Sequence, residues 1–210
     1  MGTSKRRASE KIKKLLSDGV RQDIAKAIPQ VTSEVLTDKR ISREVEKDQL
    51  RILIKAAIGG IGGIRQGGFC GFEYEEILSN ALTMTQCIEK ILEYAESEFE
   101  GEFSEILLQA FRMAIAITIN EEKEINEFLA EFCVNLIFLI VQEEAIEAIS
   151  DFYIDISHEQ INSLIKEQAR KIVNEEISVL INQYLQQELD LKNLVAKIVE
   201  RAGQVEFGEF

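Results

Sequence analysis

Histidine is nearly missing from this sequence: His158 is the one copy in 210 residues. Acid–base chemistry near neutral pH draws most often on histidine, so the shortage leaves carboxylates and thiols as the main catalytic options. Tryptophan is absent, and proline occurs once, at Pro29. Strands and tight turns need more turn chemistry than that, while the abundant Ile, Leu, Glu, Lys and Gln favour helix. The three cysteines, Cys70, Cys87 and Cys133, are an odd number at wide spacings. Such a set fits neither a disulfide framework nor a close-spaced zinc site, and it points to a reducing, intracellular, cytoplasmic setting. A secretory signal is not expected either, because Ile12-Lys13-Lys14-Leu15-Leu16 interrupts any apolar run behind the basic N-terminus.

What the chain does have is apolar content of 46% and one concentrated run of it. Over residues 132–141 only Asn135 is polar. A helix apolar on all sides has no face to give to water, so its neighbours must wrap it. The run over residues 128–141 has Glu124 and Glu127 before it, Glu131 in its first turn, and Glu143, Glu144 and Glu147 after it. By itself it is shorter than the ~20 apolar residues of a membrane span. Asn135 is a candidate pairing-specificity residue, since a buried amide must be satisfied and such residues can fix helix register at a cost in stability.

These patterns predict an all-α fold, a helical bundle around a central apolar helical hairpin (about 103–149), sheathed by helices over 73–98 and 157–188. Residues 1–58 read as a basic tail and amphipathic helical arm, 59–72 as a glycine-rich hinge, 73–202 as the bundle and 203–210 as a C-terminal tail. Pro29 is expected to interrupt the arm. Ser157 followed by Gln160 predicts a capping box, and Asn120-Glu121-Glu122 a cap for the apolar helix.

Seven of the thirteen residues from Gly59 to Gly71 are glycine. Gly62 and Gly67 have phosphate-loop spacing, yet Gly68-Phe69 follows where that loop needs a lysine, so a nucleotide site is not expected. Gly59, Gly63, Gly67 and Gly71 recur every four residues. On a helix they would make a smooth stripe, but each costs ~1 kcal/mol relative to alanine, which favours a loop or hinge.

The net charge of −13 conceals an asymmetry. Residues 1–14 carry Lys5, Arg6, Arg7, Lys11, Lys13 and Lys14 against Glu10, a local +5 against −18 for the rest. A body this acidic disfavours nucleic acid. The basic cluster follows Gly2, an acylation candidate, although Arg6 stands where the acylation pattern wants Ser or Thr. Arg6-Arg7-Ala8-Ser9 is similar to a basophilic kinase acceptor. Gly2, the six bases and Ser9 therefore define a candidate membrane and phosphorylation switch, in which phosphate on Ser9 weakens attraction to anionic lipid.

No catalytic, metal-binding or cofactor-binding residues are predicted. Asp155 and His158 supply at most half of a bridged di-metal motif, which needs two Glu-x-x-His pairs. Cys87 and Cys133 fall on apolar helix faces, where burial makes a thiol inert. The functional expectation is a non-enzymatic intracellular scaffold or protein–protein interaction subunit, an oligomer with coiled-coil character, whose amphipathic helices bind another protein or a second copy. The alternative is the peripheral membrane protein released by Ser9 phosphorylation.

Overall fold

The structure, a computed structural model, describes residues 2–17 and 23–205, with side chains from Ser9 onward. Phe207 and Phe210 of the tail lie outside the described residues. The all-α expectation holds: the structure is 80% helical, with eleven helices and almost no strand among the described residues. In order these are α1 (Gly2–Ser17), α2 (Ile24–Val35), α3 (Asp38–Glu44), α4 (Lys47–Arg65), the two short strands β1 (Gly68–Phe69) and β2 (Phe72–Glu73), α5 (Tyr74–Ser79), α6 (Ala81–Ser97), α7 (Glu105–Asn120), α8 (Ile125–Phe152), α9 (His158–Ile172), α10 (Glu175–Leu185) and α11 (Leu191–Gln204).

The helices form two compact units, one of Met1–Ser42 with Leu136–Phe210, the other Arg43–Asn135. The division falls within α3 and α8, and not at the glycine stretch where the sequence places a hinge.

The unit Arg43–Asn135 is built on α4, α6 and α7 together with the first half of α8. Its core holds Ala57, Ile61, Ile64, Ile77, Cys87, Ala95, Leu107, Ala110, Phe111, Ala114, Ile115 and Phe128, all fully buried. Phe111 of α7 packs on Phe128 and Phe132 of α8, with ring centroids 5.8 and 4.3 Å away. With only residues 121–124 between them, α7 and α8 make the apolar hairpin expected from sequence. Arg112 of α7 donates from Nε to Glu89 of α6 at 2.7 Å and from Nη2 at 3.1 Å. That hydrogen-bonded pairing holds the Glu89 carboxyl below its ordinary range.

In the other unit, α2 packs on α1, α9 and α11, and α10 packs on α11. Ile12, Val31, Ile140, Val141, Ala145, Ile161, Ala169, Ile172 and Ala202 are fully buried there. Arg40, buried on α3, donates from Nε to Glu144 at 2.9 Å and from Nη2 to Glu143 at 2.6 Å. Contrary to expectation, Pro29 does not interrupt α2 but sits buried inside it. Its missing N–H removes one backbone bond, and the buried face of Ile24, Ala27, Ile28, Val31 and Val35 holds the helix regardless.

Two predicted long helices are each divided by an asparagine. Asn80 accepts from the Leu82 and Thr83 amides, starting α6 afresh after α5. Asn174 accepts from the Ile177 amide, dividing residues 158–185 into α9 and α10. In both cases the apolar spacing runs across the break, so periodicity alone conceals it. The Ser157–Gln160 capping box is present in full. Asn120, by contrast, ends α7 and does not cap α8.

The ends of α7 and α10 share one geometry. Glu122 (φ 53°) and Gln187 (φ 64°) stand in the left-handed position that normally takes glycine. Behind Gln187, the Glu188 amide donates to the Gln183 carbonyl at 2.8 Å and the Gln187 amide to Tyr184 at 3.1 Å, closing a Schellman motif. Gln187 is exposed. Gln187→Gly is therefore expected to raise the unfolding free energy by about 0.5–1 kcal/mol, read as a higher urea midpoint at unchanged slope.

Candidate functional site

The stretch expected as a hinge is helix and then hairpin. Helix α4 continues through Gly59, Gly60, Gly62 and Gly63 to Arg65, a correction to the loop expected there. Gly59 and Gly63, two members of the four-residue repeat, are not where the helices meet most closely. Gly60, outside the repeat, is: a Cβ built on it would lie 2.3 Å from Ile91 Cδ1 on α6. This packing outweighs the poor helix propensity of the segment.

After α4 the chain turns through β1 and β2, which pair antiparallel with Phe69 opposite Phe72. Cys70 and Gly71 are the two turn residues, at φ 55° and 87°. Two successive positive φ values suit a tight hairpin, whose usual sequence is Asn-Gly or Gly-Gly. At Gly68 (φ 138°) a Cβ would lie 2.2 Å from the Phe72 carbonyl oxygen, so that strand position also requires glycine. Gly67 (φ 132°) and Gly71 thus serve turn geometry, while Gly59 and Gly63 lie on a helix, and the regular spacing joins two unrelated roles.

A group of polar side chains lies near the foot of this hairpin. Arg65 donates from Nη2 to the carbonyl oxygens of Lys123 and, at 3.4 Å, of Thr118, serving carbonyls at the α7–α8 turn. Lys123 Nζ is 2.6 Å from Glu131 and 2.9 Å from Glu121. Burial pulls the Lys123 ammonium down, and the two carboxylates more than offset it, leaving the group above its ordinary value. Tyr74 donates its hydroxyl to Glu122 at 3.2 Å. Every charge in this group has a partner in the chain, an arrangement that fixes the turn.

The thiols differ sharply in setting. Cys70 is exposed, while Cys87 and Cys133 are buried. Burial pushes the Cys133 thiol up to about 12. Cys87 on α6 is raised too, first by burial and then by the charge of Cys70, and its Sγ donates to the Phe69 carbonyl oxygen at 3.8 Å. Sequence reasoning left Cys70 without a role. The Gly67-Gly68 pair and the Cys70-Gly71 dipeptide between two Phe residues were the available hairpin signals.

The other candidates are dispersed. Gly2, Lys5, Arg6 and Arg7 belong to α1, and their side chains lie outside the described residues. Ser9 is half-buried and Lys14 exposed. Lys11 pairs with Glu34 at 2.7 Å and Lys13 with Asp151 at 2.9 Å. His158 is exposed at the first position of α9. No group of three or more His, Cys, Asp or Glu that could hold a metal ion occurs among the described residues.

Asn135 is fully buried in α8, and neither amide atom has a hydrogen-bond partner among the described residues. An orphaned amide costs more than an apolar side chain of similar size, so Asn135→Leu is expected to raise the unfolding free energy by about 1–3 kcal/mol in chemical denaturation. Helix α8 extends beyond the apolar run at both ends, to 28 residues. By length and composition alone the whole helix is long and apolar enough to cross a membrane, and 61% of its most apolar window is buried within the protein. No protein-family model, no curated protein and no solved structure matches this chain.

Proposed function

We propose that the protein is a non-enzymatic, intracellular helical scaffold or interaction subunit that works by binding another protein or a second copy of itself. The observation that carries the reading is the set of exposed large apolar side chains in the unit Arg43–Asn135. Leu82 and Tyr94 of α6 are 67% and 53% exposed, and Ile58 of α4, the helix on which α6 packs, is 37% exposed. Large apolar side chains held in water gain free energy when a partner covers them. The charged groups described above are committed to caps and ion pairs, which fits a binding module better than a catalyst.

Light scattering of the full chain, together with affinity capture, tests the proposal. A mass above the monomer or a captured partner is expected, and Leu82→Asp or Tyr94→Asp should weaken the association at least ~5-fold, as loss of an interface anchor does. A strictly monomeric protein with no partner, or an association indifferent to both substitutions, would overturn it.

A second reading is favoured by α1. Its pairs Lys11–Glu34 and Lys13–Asp151 are solvent-exposed, with the lysines 71% and 54% accessible. Such pairs contribute little stability, so an anionic membrane can compete for these bases. Sedimentation of acylated protein with phosphatidylserine vesicles, and its release by Ser9→Asp, is the expected result; equal sedimentation of both forms removes this reading.

A further inference from the structure

We propose that Cys70 and Cys87 are a peroxide-responsive thiol pair that closes to an intramolecular disulfide, pinning the tip of the β1–β2 hairpin to α6. The inference stands on geometry within the unit Arg43–Asn135. The Cys87 sulfur contacts the Phe69 carbonyl oxygen, which belongs to the residue directly before Cys70. Standard peptide geometry then places that sulfur within ~7 Å of the Cys70 Cα. Bridging requires a shift of about 2–3 Å at the tip of a two-residue turn, a segment with little to resist it.

Cys70 also occupies a position that its side chain disfavours. A non-glycine residue at φ 55° is uncommon, and the turn would accept Asn or Gly with less strain. Strain at an exposed, chemically reactive residue points towards function more than towards stability. The charge of Cys70 is felt both at the Cys87 thiol and at the Lys90 ammonium, one turn further along α6. Cys87, buried and protonated, is protected from peroxide itself.

The chemistry balances with hydrogen peroxide as oxidant. The Cys70 thiolate attacks one peroxide oxygen, the O–O bond breaks, and Cys70 becomes a sulfenic acid as the departing hydroxide takes up a proton. The Cys87 sulfur then attacks the Cys70 sulfur; the S–S bond forms, the S–O bond breaks, and the leaving hydroxide takes the Cys87 proton to depart as water. In sum, two thiols and one peroxide give one disulfide and two waters, and a thiol reductant reverses the result.

The test uses the full reduced chain, treated with hydrogen peroxide, alkylated and mapped by mass spectrometry. The expected result is a cross-linked peptide joining Cys70 and Cys87, lost on reduction, with Cys133 still open to alkylation after unfolding. Cys87→Ser should leave Cys70 as a sulfenic acid that dimedone traps. Cys70→Ser, at an exposed turn position where folding is not at risk, should abolish oxidation at Cys87. Oxidised wild-type protein that carries Cys70 as sulfinic acid or as a dimer between two chains, without the internal cross-link, would overturn the proposal. Unchanged oxidation of Cys87 in Cys70→Ser would do the same.

Discussion

Replacing Arg40 with methionine is expected to lower the unfolding free energy by about 3–5 kcal/mol, the cost of removing one partner from a buried ion pair. The Arg40 side chain is 8% exposed and that of Glu144 is also 8% exposed, so the carboxylate left behind has little access to water. Glu143, 36% exposed, can turn to solvent and contributes less to the loss. The double variant Arg40→Met with Glu144→Leu separates the explanations. If the penalty comes from stranding a charge, the double variant recovers most of the loss, because exchanging a buried pair for apolar groups of similar volume is often neutral or stabilising. If Arg40 instead contributes mainly through packing of its aliphatic stem, the double variant stays as unstable as the single one. Urea unfolding of all the variants in parallel distinguishes the two.

Two adjacent glycines should respond in opposite directions. Gly60→Leu is expected to destabilise by about 3 kcal/mol or more, because the added atoms must enter space already filled by Ile91. The Cβ alone would approach Ile91 Cγ1 to 2.4 Å, and Ile91 is buried, so a leucine there forces Ile91 out of its place or α4 and α6 apart. Gly59→Ala should stabilise by about 0.5–1 kcal/mol, since helix propensity improves and no atom lies within 4 Å of the new methyl group. Equal effects at the two positions would mean that α4 does not pack through Gly60. Thermal unfolding followed by far-UV circular dichroism is sufficient to rank the variants.

These glycines show where sequence reasoning reached its limit. The four-residue repeat suggested that Gly59, Gly63, Gly67 and Gly71 act together, yet two belong to a helix and two to a hairpin. Propensity argued against helix over residues 59–65, and the close fit of Gly60 to Ile91 overrode it. Asn80 and Asn174 teach a related lesson. A side chain that caps a new helix while the apolar seam continues is invisible to a reading based on period.

Composition and periodicity alone determined the all-α class, the apolar α7–α8 hairpin and the capping box at Ser157, because each rests on short-range chemistry: burial of an apolar face, or hydrogen bonds spanning three residues. Tertiary structure alone decided that Arg40 meets Glu143 and Glu144, that Gly60 admits Ile91, and that Cys87 rests against the turn carrying Cys70. Each of those contacts joins residues whose sequence separation carries no periodic signal. Only packing of whole helices brings them together, and burial then sets their charge and reactivity.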